Sequence, residues 1–159
     1  MLRFENVPES VINLATTLQE KHFVELIDVK IKYLFDTKRN VSGGKICLGR
    51  CRKTDDFIKY FSTGETNDDE GYQYVITLDK VAHDNIGDDD RARLLRHELR
   101  HASISERDDG FIYRIAPHDI EDFVSEIELN ADDPRWSMRI GQLVEDIYDQ
   151  QAEMAKEQK

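Results

Sequence analysis

The sequence predicts an α+β fold: a small twisted sheet, antiparallel or mixed, packed against helices. Three observations predict it. Residues 27–35 (IDVKIKYLF) alternate apolar and polar with period two, the pattern of a half-buried strand. Residues 72–78 (YQYVITL) are crowded with β-branched and aromatic side chains. From residue 88 onward the apolar spacing becomes helical. The order is helix, three strands, then mainly helices, in one domain over 1–159. A central helix carries the pattern His97-Glu98-Leu99-Arg100-His101.

Each element has its own signal. Residues 9–21 (ESVINLATTLQEK) form a helix, with Val11, Leu14, Ala15 and Leu18 on one face. The first strand covers 27–35, NVSGG turns the chain, and KICLGRCRK is a second strand, hairpinned to the first. DDFIKYFSTG is ambiguous, read as one helical turn, and TNDDEG is an acidic loop. The third strand is YQYVITL. Gly87-Asp88-Asp89-Asp90 starts the next helix with a capping Asp and acids in the positive first turn. SERDDG is a loop, FIYRIA a short strand, and Pro117 opens a helix over HDIEDFVSEIEL. After Asp132-Asp133-Pro134 a last helix begins near Arg135, with Met138, Leu143, Ile147 and Met154 inward, and the tail from about 152 frays.

Composition narrows the function classes. The chain has 159 residues, 22 basic and 33 acidic, for a net charge of −11. Residues 1–60 carry 11 basic and 8 acidic side chains, and residues 61–159 carry 11 and 25. A chain this acidic repels nucleic-acid phosphates over most of its surface. Lys45, Arg50, Arg52 and Lys53 form a local basic cluster, read as a solvated strand face. No run approaches the roughly 20 apolar residues of a membrane span, and the N-terminus lacks the basic and apolar succession of a secretory signal. Cys47 and Cys51 on one strand would lie about 13 Å apart, too far for a disulfide. A reduced, cytoplasmic protein is expected.

The chemistry concentrates at residues 97–101. His97 and His101 stand one helical turn apart, about 40° around the axis, so both imidazoles reach one metal ion. Glu98 lies on the same side, able to contact an activated water without binding the metal. Leu95 and Leu99 face the core. Arg93, Arg96 and Arg100 form a third stripe, expected to face solvent. Zinc suits imidazole ligands, and a catalytic zinc site takes three protein ligands and keeps one position open. The third ligand must come from downstream. His118 is the first candidate, with Asp119, Glu121, Asp122 and Glu126 as rivals. Asp119 and Asp122 can also orient an imidazole from behind. Tyr113, Arg114 and Arg100 are possible donors to an oxyanion. His22 and His83 fall outside this set, and Trp136 reads as a packing anchor.

The stretch from Tyr72 to Leu129 resembles the putative phage metallopeptidases, zincin-like proteins of phages and prophages. The likeness rests on H-E-L-R-H at 97–101, on His118-Asp119-Ile120-Glu121-Asp122-Phe123, and on the glycine-containing GGKICLGRCRK upstream. It covers about residues 25–130. The resemblance implies a zincin-like fold, one zinc held by His97, His101 and His118, Glu98 as catalytic acid/base, and a peptide or protein substrate. A zinc-dependent peptidase is therefore the leading expectation. The alternative is a catalytically silent metal-binding module whose acidic surface engages a basic partner protein.

Overall fold

The computed structural model describes residues 1–119 and 123–157. The chain runs through β1 (Phe4–Asn6), α1 (Glu9–His22), a 3-10 turn (Val24–Leu26), β2 (Ile31–Asp36), β3 (Val41–Ser42), β4 (Lys45–Ile46), β5 (Gly49–Lys53) and α2 (Asp56–Thr66). It continues through β6 (Tyr74–Asp79), α3 (Lys80–Asn85), α4 (Asp88–His101), β7 (Ala102–Arg107), β8 (Gly110–Ile115), α5 (Val124–Leu129) and α6 (Trp136–Glu157). This is a mixed α+β protein with six α-helices among the described residues. Among the described residues no helix is long and apolar enough to cross a membrane.

The main sheet has the order β1-β2-β6-β5 and is mixed. β2 and β6 are parallel, with Tyr33 opposite Ile76, while β1 and β5 run antiparallel at the two edges. The expected hairpin between the first two strands is therefore absent. β5 pairs with β6, Gly49 opposite Leu78, and β4 pairs with β3 in a small ribbon of its own. Nine residues of apparent alternation also overstate the first strand. The 3-10 turn takes up 24–26, Ile27 is exposed, and pairing starts at Ile31. A parallel partner requires a crossover, and α2, eleven residues long rather than one turn, lies in it.

α1 forms as expected and buries Val11, Ala15 and Leu18. α4 buries Leu94, Leu95 and Leu99, but Gly87 rather than an Asp occupies its cap, with Asp88, Asp89 and Asp90 in the first turn. β7 extends through most of the expected SERDDG loop and pairs with β8 from Ala102–Ile115 to Arg107–Gly110. The Tyr74 hydroxyl donates to the Ser103 carbonyl (2.7 Å) and accepts from the Arg114 amide (3.0 Å), which pins this hairpin to the sheet. Pro117 does not open a helix. Residues 117–119 are irregular and α5 begins at Val124. In α6 the inward residues are Trp136, Ile140 and Val144, each four apart, whereas Met138, Leu143 and Met154 are exposed and Ile147 is only half-buried. α6 also remains helical through Glu157, into the segment expected to fray.

Buried acids fasten the helices. The Tyr148 hydroxyl donates to Asp79 at 2.8 Å, joining α6 to the end of β6. Asp90 accepts from Arg139 on α6 (2.9 and 3.0 Å) and from Arg93 (2.8 Å). Arg139 first, and Arg93 with it, hold the Asp90 carboxyl below the usual carboxylate range. A depressed carboxyl stabilises the fold above its unfolded value, about 4, and that stability is lost as pH falls below it. Asp90→Asn should cost on the order of 2 kcal/mol at neutral pH, and much less at pH 3. Urea midpoints at the two pH values measure this, and an equal loss at both would contradict it.

Candidate metal centre

The last two turns of α4 present His97 and His101 on one side, as the four-residue spacing dictates. His118, from the irregular segment after β8, closes on them. One ligand atom from each of His97, His101 and His118 lies within 4.8 Å of the others. The Nε2 atoms of His118 and His97 are 3.1 Å apart. Two nitrogens bound tetrahedrally to one zinc at about 2.0–2.1 Å would be about 3.3 Å apart, so the donor set fits such an ion. His101 Nδ1 lies 2.7 Å from the Ala116 carbonyl oxygen. A carbonyl only accepts, so Nδ1 carries the proton and donates, which leaves the Nε2 lone pair for the centre.

Phe123 packs against all three imidazoles, within the roughly 4.5–7 Å centroid separation of ordinary aromatic contact. Its distances are 5.4 Å to His97, 4.8 Å to His101 and 5.0 Å to His118. Trp136 is buried 6.4 Å from His97, a packing anchor as expected but one that also backs the site. Neither ring was assigned to the site by sequence reasoning. Phe123 ends the segment that carried the family resemblance, which was the available signal.

Glu98 packs against the edge strand β5 and lines the same cleft as the three histidines. Only 4% of it is exposed. Gly49 faces it so closely that a Cβ there would stand 2.7 Å from Glu98 Oε1 and 2.9 Å from its Cδ and Cγ. Burial pushes the Glu98 carboxyl up to about 8, against the opposing pull of the Cys51 backbone amide and the Arg50 charge. Clefts open on both sides. One, of about 240 Å³, is lined by Gly49, Arg50, Ile115, Glu98 and all three histidines. The other, of about 550 Å³, runs between β4 and α6 and includes His97, Glu98, His118 and Trp136. Arg50 and Lys45 therefore each line one of the clefts, whereas Arg52 and Lys53 are exposed as expected.

A model of the family described as "Putative phage metallopeptidase" matches residues 3–150. The chain belongs to this family. No curated protein and no solved structure matches it.

Membership in this metallopeptidase family frames the remaining candidates. Asp119 is exposed and accepts from the Val124 amide at 3.2 Å, serving the start of α5. Asp122 and Glu121 lie outside the described residues. Glu126 is no ligand: it is fully buried on the other side of α4, where it accepts from Arg96 (2.8 Å) and Arg100 (3.0 Å). The arginine stripe is thus a second packed side of the helix, not a solvent face. Arg96 also reaches Asn130 at 2.6 Å, and Arg93 reaches Asp90 and Asp132. Burying guanidinium groups requires paired acceptors, which α5 and its flanks supply. Tyr113, Arg114 and Arg100 do not line either cleft beside the histidines. His83 packs against the Phe35 ring, and His22 is half-buried at the end of α1.

Proposed function

We propose that this chain is a zinc-dependent peptidase of zincin-like fold, in which His97, His101 and His118 hold one zinc ion and Glu98 is the catalytic acid/base. One observation carries the reading: three imidazole donors converge in one cleft with a buried carboxyl, Glu98. Zinc, when bound, supplies a Lewis acid that activates water and stabilises negative charge on a scissile carbonyl. Ala116 orients His101, and the Phe123 ring holds the three imidazoles in register. Glu98 takes a proton from the attacking water at its carboxylate oxygen, then returns it to the leaving nitrogen. The two clefts flanking Glu98 give an extended chain a way in and a way out.

The test is zinc content by elemental mass spectrometry on untagged protein. About one zinc per chain is expected, with loss in both His101→Ala and His118→Ala. Zinc lost in His101→Ala but kept in His118→Ala would remove His118 from the ligand set. No zinc in wild-type protein after reconstitution would overturn the reading.

Gly49 adds a second expectation. Any Cβ there must displace the Glu98 carboxyl. Gly49→Ala should keep zinc yet lose about 10²-fold in turnover, since a misplacement near 1 Å costs that much. Full turnover in this variant would show that the close approach has no functional role.

A further inference from the structure

α2 is an amphipathic helix turned the wrong way for a core. Of its eleven residues only Ser62 is buried. Phe57, Tyr60 and Phe61 are exposed at 72%, 74% and 68%, and Ile58 at 43%. The three aromatic rings nevertheless contact one another, Phe57–Phe61 at 4.8 Å and Tyr60–Phe61 at 5.3 Å. They form a contiguous apolar patch of the kind that marks an interaction surface. What holds α2 down is polar. The Ser62 hydroxyl accepts from the Tyr72 amide (3.0 Å), Glu65 accepts from Lys32 (2.6 Å) and Tyr72 (3.2 Å), and Asp55 caps Ile58 (2.9 Å).

Beside the patch, α2 and the β7–β8 hairpin flank a cleft of about 930 Å³. It is larger than the clefts at the metal centre and separate from them. Tyr60 lines it from α2, and Ile104, Phe111 and Tyr113 from the hairpin. Its rim is acidic: Glu25, Asp28, Asp56, Asp69, Glu70 and Asp109 line it against a single basic residue, Lys59. Gln73 lies at its base, 5% exposed, and its Oε1 has no hydrogen-bond partner among the described residues. A donor is what this surface lacks.

We propose that the cleft and the adjoining aromatic face of α2 dock a basic segment, with apolar side chains between its Lys or Arg residues, from a partner protein. Charge chooses the occupant. A second copy of a chain with net charge −11 would bring acid against acid. Nucleic acid and anionic lipid are repelled for the same reason. A cationic segment is attracted by the rim, and its apolar residues cover Phe57, Tyr60 and Phe61. The site stands apart from the zinc chemistry. Along β8, Phe111 at the cleft and Ile115 at the metal centre are four residues apart, about 13 Å.

The probe is a fluorescein-labelled peptide Lys-Leu-Arg-Phe-Lys-Leu-Arg, with one control carrying Glu for every Lys and Arg and another carrying Ser for every Leu and Phe. Binding is read by fluorescence anisotropy and located by amide chemical-shift mapping of metal-loaded protein. The first peptide should bind at least ten-fold tighter than either control, weaken with salt, and shift resonances of α2 and Phe111. Phe57→Ser/Tyr60→Ser/Phe61→Ser should weaken binding at least ten-fold, with helix content unchanged by circular dichroism because these rings are exposed. Asp69→Asn/Glu70→Gln/Asp109→Asn should flatten the salt dependence. No binding by the wild type, equal affinity in the aromatic variant, or shifts confined to His97, His101 and His118 would each overturn the proposal. So would a dimer in sedimentation, or partition onto phosphatidylcholine vesicles, abolished by the aromatic substitutions, since either would give the face to another occupant.

Discussion

Glu126→Ala should lower the melting temperature by roughly 10 °C, more than any surface change in this protein. Glu126 has no exposed surface, and its two oxygens accept from Arg96 and Arg100 on successive turns of α4. Its removal leaves two poorly solvated guanidinium groups without their anion. Breaking a buried ion pair from one side costs about 3–5 kcal/mol, and in a protein of this size each kcal/mol is worth about 2–4 °C. Asn130 still accepts from Arg96, and the Phe23 ring lies 4.5 Å from the Arg100 guanidinium, so both cations keep a partial environment. Glu126→Gln retains the shape and the acceptor and should lose markedly less. A calorimetric scan decides the matter. A loss below about 1 kcal/mol in Glu126→Ala would place it among ordinary surface substitutions and deny the cluster a part in holding α5 against α4.

Glu98→Gln should abolish turnover while leaving zinc content unchanged. The amide keeps the size and the fit against Gly49 but cannot take a proton, and general-base catalysis is worth about 10²–10⁴-fold. The readout that needs no known substrate is the set of new protein N-termini produced in a cell extract by wild-type protein and by the variant. Termini that appear with both proteins alike would remove Glu98 from the chemistry. Termini that appear with neither, from protein carrying a full complement of zinc, would favour a metal-bearing binding module over an enzyme.

The candidate metal site was legible because its information is local. A four-residue spacing on a helix fixes the relation of His97 to His101 whatever else the chain does, and an imidazole seventeen residues later had few competitors. The three imidazoles do meet. What sequence could not reveal depended on contacts between distant segments. Arg93, Arg96 and Arg100 look like a solvent stripe until Asp132, Glu126 and Asn130 are brought beside them. β5 was paired with the wrong strand because alternation identifies a strand but not its neighbour, and the crossover through α2 was hidden by a segment whose apolar residues do not face the core. Gly49 lies in the glycine-containing segment that shares in the resemblance, but its meaning, the absence of a Cβ against Glu98, emerges only in the fold. The last helix was phased by its methionines, whereas Trp136, Ile140 and Val144 set the buried face.

The polar attachment of α2 has a kinetic meaning. A helix anchored by hydroxyls and surface carboxylates, with a single buried residue, can open without exposing the core, and such local openings require far less free energy than global unfolding. Its amide protons should therefore exchange with solvent water long before those of α4, whose leucines are sealed under the sheet. The aromatic face can thus come and go on its own clock, while the helix that presents the histidines keeps still.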